Sequence, residues 1–242
     1  MRRRSRAGVT LLEVLIAVTL LSLLSVGMLM AMRLGLSAFG KADDKLMGNR
    51  RAAGAQRIVQ EEIEGIVPVI ALCGGGGPQA PVTRMGFFQG EPQVMRLVST
   101  FSLQQGWRGQ PQILEFFVIP GENGRGVRLV VNETLYTGPL GAGRLCTGQV
   151  SPDGLPQFAP VSATPQSFVL ADQLAYCRFS YLQYVPQSNQ TLWKPAWTVP
   201  GWPLAVRMEM APLEPDRSQV QPITVVAPIY LHRDPGIQYV DR

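Results

Sequence analysis

The fold of this chain follows from one stretch in its first third, Gly8-Val9-Thr10-Leu11-Leu12-Glu13-Val14-Leu15-Ile16-Ala17, which continues apolar to Met32. A basic head precedes it, with arginines at positions 2, 3, 4 and 6. No charged residue lies between Glu13 and Arg33, and such a run approaches the roughly 20 apolar residues that a helix needs to cross a bilayer core. The arginines would keep the N-terminus on the cytoplasmic side.

Three interpretations of this segment compete. A cleaved secretory signal fits the basic head, but the apolar run is too long and no small-x-small cleavage site follows it. A single-pass anchor fits the length but does not explain Glu13, because a carboxylate in the apolar zone costs about 2.5 to 3.5 kcal/mol on insertion scales. In the third interpretation, cleavage after Gly8 creates an α-amino group at Val9, which pairs with the Glu13 carboxylate of a neighbouring subunit.

The run from Gly8 to Glu13, between a basic head and an apolar helix, resembles the N-terminal motif shared by type IV pilins and the pseudopilins of type II secretion. The resemblance implies that a prepilin peptidase cuts between Gly8 and Val9 and N-methylates Val9. It also implies that Glu13, at the fifth mature position, guides subunit docking in a filament. The family usually has Phe where this chain has Val9.

Composition narrows the possible functions of the chain. Its 242 residues are 46% hydrophobic and 16% charged, which is poor in charge for a soluble protein, where about 25% is usual. The net charge of +5 comes largely from the N-terminal arginines, and no basic run interleaved with aromatic residues follows. We therefore expect a membrane partner and no nucleic acid.

The helix that starts in the apolar run should be long, because no proline occurs before Pro68. After Arg33 the sequence becomes amphipathic, and Val59, Ile63 and Ile66 form a stripe that should lie against the downstream domain. We interpret the acidic residues of this part as a solvated face rather than a cation site. They are Asp43, Asp44, Glu61, Glu62 and Glu64.

Beyond the glycine run at residues 74–77, short apolar or alternating runs predict strands. The runs are Val94–Phe101, Ile113–Ile119, Val127–Val131, Ser167–Leu170, Ala175–Tyr184, Leu204–Ala211 and Ile223–Leu231. Asn123-Gly124 predicts a hairpin turn, and residues 138–165, rich in Gly and Pro, predict loops. The fold class is therefore α+β, with one long helix before a mainly antiparallel β domain.

Residues 174–235 carry a second, looser resemblance. A strand around Tyr176, a loop with Trp193 and Trp197, and the proline-led strand from Pro203 resemble the C-terminal half of the J-type minor pseudopilins in order and spacing. A large, β-rich minor type IV pilin of the PilW kind stays open as the alternative.

No catalytic, cofactor or metal site is predicted. The sequence has no nucleophile elbow, zinc-protease motif or Rossmann fingerprint, and its one histidine, His232, lies near the tail. The three cysteines permit three pairings. Cys73 and Cys146 fall in predicted loops while Cys177 falls in a strand, which favours a Cys73–Cys146 disulfide. The tryptophans are more typical of core or partner packing than of a ligand site.

Together these features predict a leader at residues 1–8, a helix at 9–67 that spans the membrane to about residue 32, and a periplasmic β domain at 68–242. The resemblance implies a structural subunit, not an enzyme, in the bacterial inner membrane. Its implied partners are the prepilin peptidase, the I- and K-type minor pseudopilins, the major pseudopilin and the inner-membrane secretion platform.

Overall fold

A computed structural model of the chain describes residues 10–74, 82–103, 107–150, 156–213 and 223–230. The chain divides into two compact units, Met1–Arg50 and Arg51–Arg242, and the first helix contributes to both. The second unit begins inside the helix.

Two α-helices and twelve strands are described. The helices and the first six strands are α1 Leu11–Glu64, α2 Pro139–Gly143, β1 Ile70–Gly74, β2 Val82–Gly86, β3 Gln89–Gly90, β4 Val94–Ser102, β5 Trp107–Pro120 and β6 Val127–Leu135. The remaining strands are β7 Cys146–Val150, β8 Pro156–Phe158, β9 Phe168–Val185, β10 Gln190–Lys194, β11 Ala205–Pro212 and β12 Ile223–Pro228. A long helix followed by an antiparallel β region confirms the α+β class.

The main sheet has eight strands, in the order β12-β11-β9-β6-β5-β4-β3, with β10 paired to the end of β9. Each described pair in it is antiparallel. The strand β9 is long enough to pair with β6 through its first residues and with β11 through its later ones. This explains why the two strands predicted at Ser167–Leu170 and Ala175–Tyr184 are one strand.

The inner face of the main sheet packs against the last turns of α1. Ala55, Val59 and Ile63 are at most 1% exposed and belong to one cluster with Leu97 and Met208 of the sheet. The apolar stripe predicted from helical spacing is thus confirmed as the buried face of the helix.

The helix ends at Glu64 because a strand crosses its end at close range. The Gly65 carbonyl accepts a hydrogen bond from the Thr100 N–H (2.9 Å), and Ile66 forms an isolated bridge to Ser99. A Cβ on Gly65 would lie 2.6 Å from the Ser99 Oγ, so no larger residue fits there without a shift of that hydroxyl. This close approach joins α1 to β4, whose pairing with β5 is irregular between Ser99 and Phe101.

A smaller outer layer covers the opposite face of the sheet over β4 and β5. It contains the hairpins β1–β2 and β7–β8 and the short helix α2. Ala71, Phe87 and Ala142 from this layer bury Val98 and Ile113 of the sheet. The sequence analysis predicted only loops at residues 138–165, so α2, β7 and β8 were missed there. Their segments of three to five residues are too short to show a hydrophobic period.

The predicted hairpin turn joins β5 to β6. It is a 3₁₀ turn at Glu122–Gly124, in which Asn123 and Gly124 have positive φ angles of 55° and 71°. Asn and Gly tolerate this left-handed region better than other residues, which is why the dipeptide predicted the turn correctly.

A disulfide joins Cys73 of β1 to Cys146 of β7 and so links the two hairpins of the outer layer. These are the two cysteines that the sequence analysis favoured, and Cys177 of β9 is a buried free thiol. Burial raises the pKa of the Cys177 thiol to about 12, since the thiolate would lose its hydration.

Replacement of Cys73 and Cys146 with Ser should lower the free energy of unfolding of the β unit by about 2 to 4 kcal/mol. The physical reason is that the disulfide constrains the unfolded chain over a separation of 73 residues. Denaturant unfolding of the full-length protein in detergent would measure the change. Cys177→Ala is the control and should leave the effect of a reductant on stability intact. The prediction would be contradicted if a reductant left the free energy of unfolding of the parent protein unchanged.

Candidate assembly surfaces

The first candidate surface, the N-terminal surface, is formed by the first part of α1, which begins at Leu11. Thr10 is the residue before the helix, and its carbonyl and its Oγ1 both accept a hydrogen bond from the Glu13 N–H, at 3.1 Å and 3.3 Å. A threonine in this position satisfies an N–H group that has no partner within the first turn. Glu13 itself lies in that turn, where the positive end of the helix dipole favours a carboxylate.

The first part of α1 exposes an apolar surface on all sides. Leu11–Ala38 is 28 residues long and has a mean hydropathy of 2.5, and none of its most apolar stretch is buried within the protein. Leu11 is 84% exposed and Met28 is 77% exposed. A helix of this length measures about 42 Å, more than the hydrocarbon core of a bilayer requires. The chain therefore has one N-terminal helix that could span a membrane.

The hydroxyl groups of this helix are satisfied within it. Ser22, Ser25 and Ser37 each donate a hydrogen bond to a backbone carbonyl three or four residues earlier. By contrast, no side chain among the described residues bonds the carboxylate of Glu13. Glu13 is thus an exposed acidic group in an apolar zone, and its carboxylate has no side-chain partner within the described part of the chain. The two predicted processing residues, Gly8 and Val9, lie outside the described residues.

At the other end of α1, the structure overturns one prediction. Glu62 was expected on a solvated face, but it is 0% exposed, and neither of its carboxyl oxygens makes a hydrogen bond within the described part of the chain. Its neighbours do fit the prediction: Glu61 forms an ion pair with Arg57 (2.8 Å) and Glu64 accepts a hydrogen bond from Gln60 (2.9 Å). The side chains of Asp43 and Asp44 are not described.

Glu62 lies among polar groups at one end of the helix–sheet interface. Burial raises the pKa of Glu62 to about 8, the nearby Ser99 hydroxyl lowers it, and the carboxylates of Glu133 and Glu61 raise it further. Glu133 in turn accepts a hydrogen bond from the buried Ser102 hydroxyl. Burial therefore favours the protonated, uncharged form of this carboxyl group, which needs no cation as a partner.

On the opposite face of the sheet, a second buried ionisable side chain has three hydrogen-bond partners among the described residues. Arg96 of β4 is 1% exposed, and its Nε donates to the Glu115 carboxylate at 2.7 Å. Its other nitrogens donate to the Gln89 side chain and to the Ala159 carbonyl. Its guanidinium also lies 5.5 Å from the ring centre of Phe158. Arg96 therefore holds the β7–β8 region of the outer layer against the sheet.

The outer face of the main sheet also carries two stacked cations that the sequence analysis missed. The guanidinium of Arg207 lies 4.5 Å from the ring centre of Trp193, and that of Arg178 lies 4.6 Å from the ring centre of Tyr176. Arg207 also donates to the Ser180 hydroxyl at 3.0 Å. Trp193 and Arg207 come from different strands, so no local spacing could have signalled their contact.

Trp197 and Trp202 pack against the core, in agreement with the preference for core or partner packing. Trp197 contacts Phe88 edge-on at 6.5 Å, and the ring of Trp202 covers Gly86, where a Cβ would lie 3.0 Å from it. Among the described residues, no group of three His, Cys, Asp or Glu side chains lies close enough to hold a metal ion. His232 is outside the described residues.

Comparison with known protein families finds a match at the N-terminus of the chain. Residues 3–29 match the family model described as the prokaryotic N-terminal methylation motif, the signal of type IV pilins and pseudopilins. No curated protein matches the chain. The match spans the basic head, Gly8, Val9, Glu13 and most of the apolar run. It indicates a type IV pilin-like protein and suggests a structural subunit, with an N-terminal helix that could span a membrane.

The buried Glu62 carboxyl makes stability depend on pH in a defined direction. Because its folded pKa of about 8 lies above the ordinary value of 4.5, the folded protein holds a proton that the unfolded chain has lost between these two values. The contribution of the Glu62 proton to the free energy of unfolding should therefore be fully present below pH 4.5. It should fall as pH rises to about 8, by at most about 1.4 kcal/mol per pH unit.

Glu62→Gln should remove this pH dependence, since the amide cannot ionise. Denaturant unfolding of the full-length protein at several pH values between 5 and about 8 would measure it. The matched control is Glu64→Gln, two residues away and exposed, which should retain the slope of the parent protein. If the free energy of unfolding changes equally with pH in the Glu62→Gln variant and in the parent, Glu62 ionises normally in the folded state and the prediction is wrong.

Proposed function

We propose that this chain is a minor pseudopilin of a type II secretion system, of the J type, and that it acts at the start or tip of a short periplasmic filament. One observation carries the proposal: the methylation motif at residues 3–29 includes most of an exposed apolar helix with a single carboxylate, Glu13, in its first turn. This combination supplies a membrane-inserted subunit with one charged docking group.

The processing step follows from the same residues. In this proposal a prepilin peptidase hydrolyses the Gly8–Val9 bond, releases residues 1–8 and N-methylates Val9. The new α-amino group of one subunit then pairs with the Glu13 carboxylate of its neighbour. This ion pair offsets the cost of about 2.5 to 3.5 kcal/mol for a lone carboxylate in lipid. Membrane-embedded subunits are thereby held in one register.

The compartment and partners belong to the same proposal. The arginine head holds the N-terminus in the cytoplasm, the helix spans the inner membrane, and the β domain faces the periplasm. A disulfide in that domain supports an oxidising compartment. The partners are the I- and K-type minor pseudopilins, the major pseudopilin, the prepilin peptidase and the inner-membrane secretion platform.

A minor type IV pilin of the PilW kind, in a surface pilus for adhesion, motility or DNA uptake, is the second candidate. It is supported by the same motif, which both systems share. The two candidates differ in their partners. Affinity purification of the tagged chain from its native membrane would recover other pseudopilins and platform components in the first case, and pilus subunits in the second.

Replacement of Gly8 with a bulky residue such as Phe should block cleavage, because the peptidase site must accommodate this position closely. Mass spectrometry of the membrane-purified protein should then find the precursor with its leader intact. Gly27→Ala is the control, since a Cβ there meets no atom within 4 Å in the protein, and it should mature normally. A Gly8→Phe chain that begins at Val9 would contradict the processing step.

Glu13→Leu should leave membrane insertion intact but lower incorporation beside partner subunits by about tenfold, which corresponds to about 1.4 kcal/mol. Glu13→Gln should behave in the same way if the charge is essential. Quantitative co-purification from detergent-solubilised membranes would measure the loss, with Ser22→Ala as a control in the same helix. Full recovery of partners with both Glu13 variants would rule out the docking role.

A further inference from the structure

A cleft of about 410 Å3 lies in the β unit beside the loop between β10 and β11. Residues 196–201 of that loop line one part of it, and residues of β2, β3 and β8, together with Phe88 and Glu91 on either side of β3, line the rest. Its aromatic lining consists of Phe88, Phe158 and Trp197. The volume falls within the range of about 300 to 1,000 Å3 that is typical of sites for small ligands or inserted side chains.

The walls of the cleft are held in place by close backbone contacts. The Trp197 N–H donates to the Gly90 carbonyl at 2.8 Å, and the Trp197 indole N–H donates to the Gly201 carbonyl at 3.0 Å. A Cβ on Gly90 would lie 2.7 Å from the buried ring of Tyr181 and 2.9 Å from the Cβ of Trp197. The loop and β3 therefore have little freedom, and the cleft is formed before any ligand arrives.

The cleft has one charge. Among its described lining residues, Glu91 is the only ionisable one. The Gln89 amide donates to the Glu91 carboxylate at 2.6 Å, and the buried Arg96 in turn donates to the Gln89 side-chain oxygen. Since Arg96 is itself paired with Glu115, its charge does not neutralise Glu91. The hydrogen bonds from Arg96 to Gln89 and from Gln89 to Glu91 fix the position of the Glu91 carboxylate. They do not neutralise its charge, which can therefore attract a cationic ligand.

We propose that this cleft binds a lysine or arginine side chain presented by a partner polypeptide. Aromatic faces attract cations, and a positioned carboxylate adds a charge-assisted hydrogen bond. Negatively charged ligands are disfavoured because the lining offers Glu91 and no described cation. The proposal does not depend on which filament system the chain serves, since it concerns the chemistry of the side chain that is bound.

The test uses the full-length protein in detergent with its tryptophans labelled by 15N. N-acetyl-arginine amide and N-acetyl-lysine amide are the cationic probes, and N-acetyl-citrulline amide is the neutral isostere. The indole N–H signal of Trp197, assigned with Trp197→Phe, should shift in a saturable way with the cationic probes. The citrulline probe should bind about tenfold more weakly, because its ureido group still donates hydrogen bonds but lacks the positive charge that the aromatic rings and the Glu91 carboxylate attract.

Glu91→Gln should weaken the binding of the cationic probes by the same factor of about ten. Its unfolding midpoint should match that of the parent, because Glu91 is exposed. Glu209→Gln, which removes a carboxylate of β11 that does not line the cleft, is the matched control and should bind as the parent does. The proposal is overturned if no probe shifts Trp197, if citrulline binds equally well, or if Glu91→Gln binds as tightly as the parent.

Discussion

Burial of one helix face against the main sheet is the interaction on which the rest of the β unit depends. Val59 and Ile63 are fully covered by the sheet, and the close contact of Gly65 with Ser99 stops the helix at the point where β4 passes. This junction orders the central strands, and those strands then support the outer layer on their other face. The Leu11–Ala38 part of the same helix has no such cover, so its apolar surface requires a membrane or other subunits.

Each face of the main sheet buries one ionisable side chain, and the two side chains differ in whether they have hydrogen-bond partners among the described residues. On the outer face, Arg96 has a carboxylate, an amide and a carbonyl as partners, so its charge is kept and serves to position Gln89 and the β8 region. On the helix face, the carboxyl oxygens of Glu62 have no hydrogen-bond partner among the described residues, and burial instead favours the neutral form of Glu62. The first arrangement builds a positioned surface, whereas the second couples the stability of the helix–sheet contact to pH.

Much of the fold could be predicted from local pattern. Helical spacing found the stripe of Val59 and Ile63, and the Asn123-Gly124 dipeptide found the hairpin turn between β5 and β6. The predictions from sequence were wrong where the hydrophobic alternation of a segment was short or interrupted. The strand β9 was divided because Gln173, with a φ of 54°, interrupts its alternation. Glu62 was assigned to solvent because an acidic residue between Glu61 and Glu64 carries no local sign of burial.

The sequence by itself determined the N-terminal surface: the motif at residues 3–29 overlaps the apolar run, and from Leu11 onward that run and the lone Glu13 lie on one helix, where spacing translates directly into structure. Only the tertiary structure decided the burial of Glu62, the network of Arg96 and the cleft at Glu91. These features depend on long-range pairing, such as the contact of Arg96 with Ala159, 63 residues away. Residue order does not reveal such neighbours, because the folding of the sheet brings them together.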